Sequence, residues 1–110
     1  MELILKMKIA PHYLTAIKNG TKTREYRWLE DDFTKGELFQ VSKIWFVNSE
    51  NKNDTLLVNV MCIYDDEFVE IIEEIKLQSW FKPGDEEKYF GEANDEDVYT
   101  VFDIRLIKDN

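Results

Sequence analysis

Between Lys22 and Arg27 the chain sets three cations and one carboxylate in six residues, within the run Gly20-Thr21-Lys22-Thr23-Arg24-Glu25-Tyr26-Arg27-Trp28. In an extended strand the side chains alternate, so Thr23, Glu25 and Arg27 line one face and Arg24, Tyr26 and Trp28 the other. Glu25 and Arg27 then lie roughly 7 Å apart along that face, at about 3.3 Å of rise per residue. The turn at Gly20 can swing the Lys22 ammonium over the same face, which makes a candidate polar pocket. Two kinds of chemistry suit it. As a binding site, Lys22 and Arg27 meet a phosphate or carbonyl, Glu25 accepts from a base amino group, and an aromatic such as Tyr26, Trp28 or Trp45 stacks on the base. As a catalytic site, Glu25 activates water while Lys22 and Arg27 steady the developing oxyanion. Alternatively Lys22 is itself nucleophile or base, which requires burial or a neighbouring cation, Arg24 or Arg27, to keep it neutral part of the time. Glu25 opposes that role by stabilising the ammonium. Two blander readings stand beside these. Glu25 and Arg27 can form an exposed same-face ion pair worth under ~1 kcal/mol, and Trp45, between Ile44 and Phe46, has the setting of a core residue. His12 and Cys62 stand alone with no metal-ligand spacing, so neither a metal nor a cofactor is expected.

The elements that must position these residues follow from hydrophobic spacing. Leu3, Leu5, Met7 and Ile9 alternate with Ile4, Lys6 and Lys8, the period of a half-buried first strand. Pro11 opens a short helix over about residues 11–19, carrying Tyr13, Leu14 and Ile17, and Gly20 stops it. Lys22 to Trp28 is the second strand. Glu30-Asp31-Asp32 with Lys35-Gly36 forms a polar loop, and Glu37 to Val41 and Ile44 to Asn48 add two β segments. Ser49 to Asp54 is a turn before Thr55 to Tyr64, a long central strand with Cys62 as a buried thiol. Phe68, Ile71, Ile72 and Ile75 mark an amphipathic helix opening near Asp65 and Asp66, with Glu67, Glu70, Glu73 and Glu74 on its solvated face. The aromatic-rich segment from Gln78 to Asp97 reads as an ordered loop with a helical turn at 85–89, pinned over the core. Val98 to Ile107 closes the fold. Six or so strands with two main helices supply too few crossovers for a doubly wound parallel sheet, and a small mixed β-barrel of α+β class fits better.

The 110 residues suit one domain. The net charge of −9 argues against extended duplex DNA, but it is unevenly placed: residues 1–50 carry net +1 and residues 51–110 net −10. Within Lys18 to Arg27 four basic residues face one acid, enough to meet a phosphate or a few. A lone cysteine and the absence of a signal-like or membrane-length apolar run imply a soluble, cytoplasmic protein with no membrane partner.

The run from Ile17 through Gly20, Lys22-Thr23 and Glu25-Tyr26-Arg27, preceded by a strand and a helix beginning Pro11-His12-Tyr13, resembles the signature of the ASCH domain, of the PUA-like superfamily. Lys35-Gly36-Glu37-Leu38 is similar to the family's following turn, with Glu37 where an aspartate is usual. The resemblance spans nearly the whole chain. It implies a pseudo-barrel whose cleft is lined by Lys22, Glu25 and Arg27, with Thr23, Arg24 and Trp45 as further ligand-binding candidates, and a nucleotide-like small molecule, modified nucleobase or short RNA as partner. One branch of the family hydrolyses the acetyl amide of N4-acetylcytidine with a lysine, a threonine and a distant glutamate. Lys22 matches that lysine, but Glu25 holds the threonine's place and Thr23 falls two places earlier, which counts against carrying the amidohydrolase over. Glu73 or Glu74 are candidates for the distant acid by rough position. An acidic interaction module using the Glu67 to Glu74 face is a third reading.

Overall fold

The computed structural model describes residues 3–28 and 40–108. Five strands and three helices follow in the order β1 (Leu3–Ile9), α1 (Pro11–Lys18), β2 (Arg24–Arg27), β3 (Val41–Asn48), β4 (Asn51–Glu67), α2 (Phe68–Lys76), α3 (Asp85–Phe90) and β5 (Val98–Leu106). The strands form one mixed sheet of order β1-β3-β4-β5-β2, antiparallel except for the β1–β3 pair. The result is a small α+β fold. The sheet is open rather than closed into the barrel expected from sequence: β1 and β2 stand at opposite edges, and no ladder joins them among the described residues. A side chain spans the gap instead, Arg27 Nη2 donating to the Lys8 carbonyl at 2.7 Å.

β4 explains the shape. Its 17 residues would run roughly 55 Å if straight, more than the molecule's longest extent of 39 Å. It therefore coils, with a register shift between Val60 and Cys62, as a bulge allows. One end contributes Val58 to a core of β1, β3 and α1 side chains, including Met7, Leu14, Ile17, Ile44 and Phe46. The other faces a core under α2, with Phe68, Ile71, Ile72 and Ile75 against Tyr26, Tyr99 and Val101. Trp80 and Phe81 touch both cores and pin the aromatic segment down, as its composition suggested.

Several boundaries differ from the sequence reading. β2 is shorter, because only Arg24–Arg27 find partners on β5. The turn before β4 is only Ser49 and Glu50, tightened by the Asn48 side chain accepting from the Glu50 N–H at 2.8 Å. Val41–Asn48 is one strand, and residues 29–39, with the polar loop, the Lys35-Gly36 turn and the start of the third β segment, lie outside the described residues. Cys62 is exposed rather than buried, since the register shift sets it opposite Asp103. Tyr99 to Phe102 are all buried, because β5 is covered on both faces rather than one.

Candidate functional site

Local backbone chemistry turns the charged run inward. α1 ends in a Schellman motif: Gly20 N–H donates to the Ile17 carbonyl and Thr21 N–H to the Ala16 carbonyl, both at 3.0 Å. Gly20 stands at φ +78°, a left-handed conformation that costs other residues a Cβ clash. Lys22 N–H also bonds the Ala16 carbonyl. The chain thus reverses off the helix and drives Lys22 into the interior, where it is 2% exposed.

There Lys22 Nζ lies 3.6 Å from Glu25 Oε1 and donates to the Arg24 carbonyl. Trp80, Tyr26 and Tyr13 surround the ammonium, their ring centres 4.5, 5.4 and 5.9 Å away. On its other side Glu25 Oε2 accepts from Arg27 Nη2 at 3.2 Å, and Oε1 accepts from the Tyr26 N–H at 3.0 Å. The expected alternation holds within β2, where Glu25 and Arg27 pair on one face while Arg24 and Tyr26 reach the other and share Glu74, at 2.6 and 2.8 Å. Beyond the strand ends it fails, Thr23 bordering a cavity with Arg24 and Trp28 one with Glu25 and Arg27. Arg24 also bonds Asp103 at 2.7 Å. Glu74, grouped with the solvated acids by helical spacing, is the member of that row that β2 recruits; Glu67, Glu70 and Glu73 are exposed.

Burial pulls the Lys22 ammonium below its ordinary range, Glu25 opposes this, and Arg27 adds to the lowering. For Glu25 burial pushes upward, but Lys22, Arg27 and the Tyr26 N–H together hold the carboxyl below the ordinary carboxylate range. Glu25 is therefore an ionised carboxylate fixed between two cations.

Glu25 and Arg27 open onto a cavity of about 280 Å³ whose walls include Lys8, Tyr13, Trp28, Tyr89, Phe90 and Tyr99. Lys22 does not line it, but borders a void of about 20 Å³ beside Glu25, Tyr13 and Trp80. Thr23 and Arg24 border a different cavity of about 590 Å³, with Met61, Asp103 and Arg105, and Lys22 contributes to its wall while staying 2% exposed. Trp45 is in neither. It lies on β3, with β4 and β5 between it and β2, and it is exposed rather than core. The structure thus brings the Lys22, Glu25 and Arg27 side chains together, sets Thr23 and Arg24 on the second cavity, which Lys22 also borders, and leaves Trp45 apart from both.

The sequence reading missed Asp85, a buried acid at the start of α3. Its Oδ2 accepts from the Tyr13 hydroxyl at 2.8 Å and the Lys82 N–H at 3.1 Å, and lies 3.0 Å from His12 Nε2. It anchors the aromatic segment to α1 and so fixes Tyr13 and Tyr89, whose rings are 5.2 Å apart, as cavity walls. Its partners Tyr13 and His12 are distant in sequence, and no local pattern announces such a contact. Among the described residues no group of three His, Cys, Asp or Glu side chains could hold a metal ion, and no helix is long and apolar enough to cross a membrane.

No family model matches the sequence, and no curated protein matches it. Solved structures do. The ASCH protein of Zymomonas mobilis superposes with a TM-score of 0.64 at 17% identity over 94% of this chain and 66% of that one, and a mutant of the same protein gives 0.65 at 16% over 94% and 67%. The present chain thus spans about two thirds of the Zymomonas protein. The hypothetical protein PH0355 superposes with a TM-score of 0.61 at 19% identity, covering 96% of this chain and all of its own. On these superpositions the chain, a mixed five-stranded sheet with three helices among the described residues, has the fold of an ASCH domain.

Proposed function

We propose that this domain binds a nucleobase, carried by a nucleoside or a short RNA, in the cavity at Glu25 and Arg27. The observation that carries the reading is the fixed Arg27–Glu25–Lys22 charge line ending at an aromatic-walled cavity of about 280 Å³. Its volume lies near the ~300 Å³ lower end of small-ligand sites. The carboxylate accepts from an exocyclic amino group, the guanidinium donates to a ring carbonyl, and Tyr89 or Trp28 stacks on the base plane. Lys22 serves as the counter-ion that keeps Glu25 ionised. Support for a closed pseudo-barrel is limited to the Arg27 link between the sheet edges.

A second reading is hydrolysis of an N4-acylated cytidine. The burial that lowers Lys22 favours it, since a neutral amine is what such a step needs. Against it stand the enclosure of Lys22 and its pairing with Glu25. One experiment addresses both: titration with cytidine and N4-acetylcytidine, followed by chromatography of the mixture. Saturable binding that Glu25→Gln and Arg27→Ala each weaken by about tenfold or more, without release of cytidine, is the expected result. Turnover abolished by Lys22→Ala would establish the hydrolase instead, and indifference of wild type and variants to both compounds would sink the site.

A further inference from the structure

The outward side of the sheet is a surface that meets the cavity at Lys8. Pairing register places Lys6 beside Trp45, Trp45 opposite Leu57, and, two residues further along β4, Asn59 opposite Arg105. These residues lie on one face across four strands, since paired and alternate positions of a sheet share a side. Trp45 is 44% exposed and Leu57 39%, Lys6, Lys8 and Arg105 are exposed, and Lys6 Nζ sits 5.5 Å over the Trp45 ring. Asp103, two residues before Arg105 on β5, shares this side and is bonded by Arg24 at 2.7 Å; these positions carry no other acid, in a chain of net charge −9. The face is therefore basic on an acidic molecule. Lys8 also lines the cavity beside Arg27, so the basic row begins where the cavity ends.

An exposed indole offers a base a stacking plane, and cations on β1 and β5, either side of Trp45, offer partners to phosphates. A purely apolar protein partner would leave those cations unpaired. We propose that this face, centred on Trp45 and Lys6, docks single-stranded polynucleotide, with a base on Trp45 and the backbone running past Lys6, Lys8 and Arg105. The inference goes beyond the cavity reading and stands apart from it: oligonucleotide binding that depends on Glu25 reports on the cavity, and binding that depends on Trp45 reports on the face.

The test is fluorescence anisotropy of labelled short oligo(U) and oligo(dT) with the full chain, at low salt and at ~200 mM. Salt-sensitive binding is expected. Trp45→Ala should weaken it by about tenfold, while Trp45→Phe, which keeps a ring, retains most of it. Lys6→Glu and Arg105→Glu should each weaken binding and flatten its salt dependence, whereas Lys76→Glu, on α2 and off the face, leaves it within about twofold. Glu25→Gln should leave the Trp45-dependent part in place. Tighter binding of oligo(U) would make the strand RNA; equal binding would make the face a general single-strand surface. The proposal is overturned if neither oligonucleotide binds, if Lys76→Glu weakens binding as much as Lys6→Glu, or if sedimentation shows self-association that Trp45→Ala removes, which would make the face a contact between copies.

Discussion

Lys22 and Glu25 are an ion pair removed from water, with side chains 2% and 8% exposed. Such pairs contribute little net stability compared with an apolar substitute, yet losing one partner leaves a buried charge uncompensated. Lys22→Met should therefore destabilise the fold by about 3 kcal/mol in urea unfolding, and adding Glu25→Gln should recover a large part of that. If the double variant is no more stable than Lys22→Met, the pairing is not what holds either group. The linkage to pH has a definite sign. Glu25 is depressed in the fold, so its contribution is complete above its unfolded value near 4.5 and is lost as pH falls through the lower folded value. Lys22 is also depressed, so the cost of burying its charge is present at neutral pH and is relieved as pH rises through its folded value towards 10.5. A Glu25→Gln variant should accordingly show a shallower acid-side loss of stability than wild type. Much of this was legible in the sequence, because a strand's alternation is a local rule: the partition of Glu25 and Arg27 from Arg24 and Tyr26 holds. Trp45 was misplaced because its distance from β2 is set by strand order, which nothing near residue 45 encodes.

At the scale of elements, the placement of the site depends on how α1 ends. The Schellman bonds at Ala16 and Ile17 require the left-handed backbone that Gly20 adopts, and a Cβ there meets no atom within 4 Å. The cost of Gly20→Ala is thus conformational, about 1 kcal/mol in urea unfolding, with the cavity otherwise intact. A loss well above that would mean the substitution displaces Lys22. The short helices were recoverable from the Pro11 and Gly20 signals and from the spacing of Phe68, Ile71, Ile72 and Ile75, all buried as expected. The openness of the sheet was not, since closing it depends on whether β1 and β2, the first two strands in sequence, meet in space. Nor was Asp85, whose partners His12 and Tyr13 lie 73 and 72 residues away.

For the whole molecule, the dominant electrostatic fact is segregation: nearly all the excess negative charge falls in residues 51–110, while the outward face of β1 and β3 is basic. Exposed Glu67, Glu70 and Glu73 stand close together on and beside α2. Their mutual repulsion is screened once the Debye length shrinks to about 10 Å near 0.1 M salt. Raising sodium chloride from low to ~0.3 M should therefore raise the unfolding midpoint, and Glu73→Lys should reduce that increment while raising stability at low salt by a few tenths of a kcal/mol. A midpoint that falls with salt would show that the screened attractions outweigh the repulsions. The enclosure of Lys22 carries a consequence for the protein's reactivity. Walled by Trp80, Tyr26 and Tyr13 and 2% exposed, its amine would be the last of the described lysines to take up an acylating reagent. The rate of that labelling is a clock for how often the aromatic wall opens.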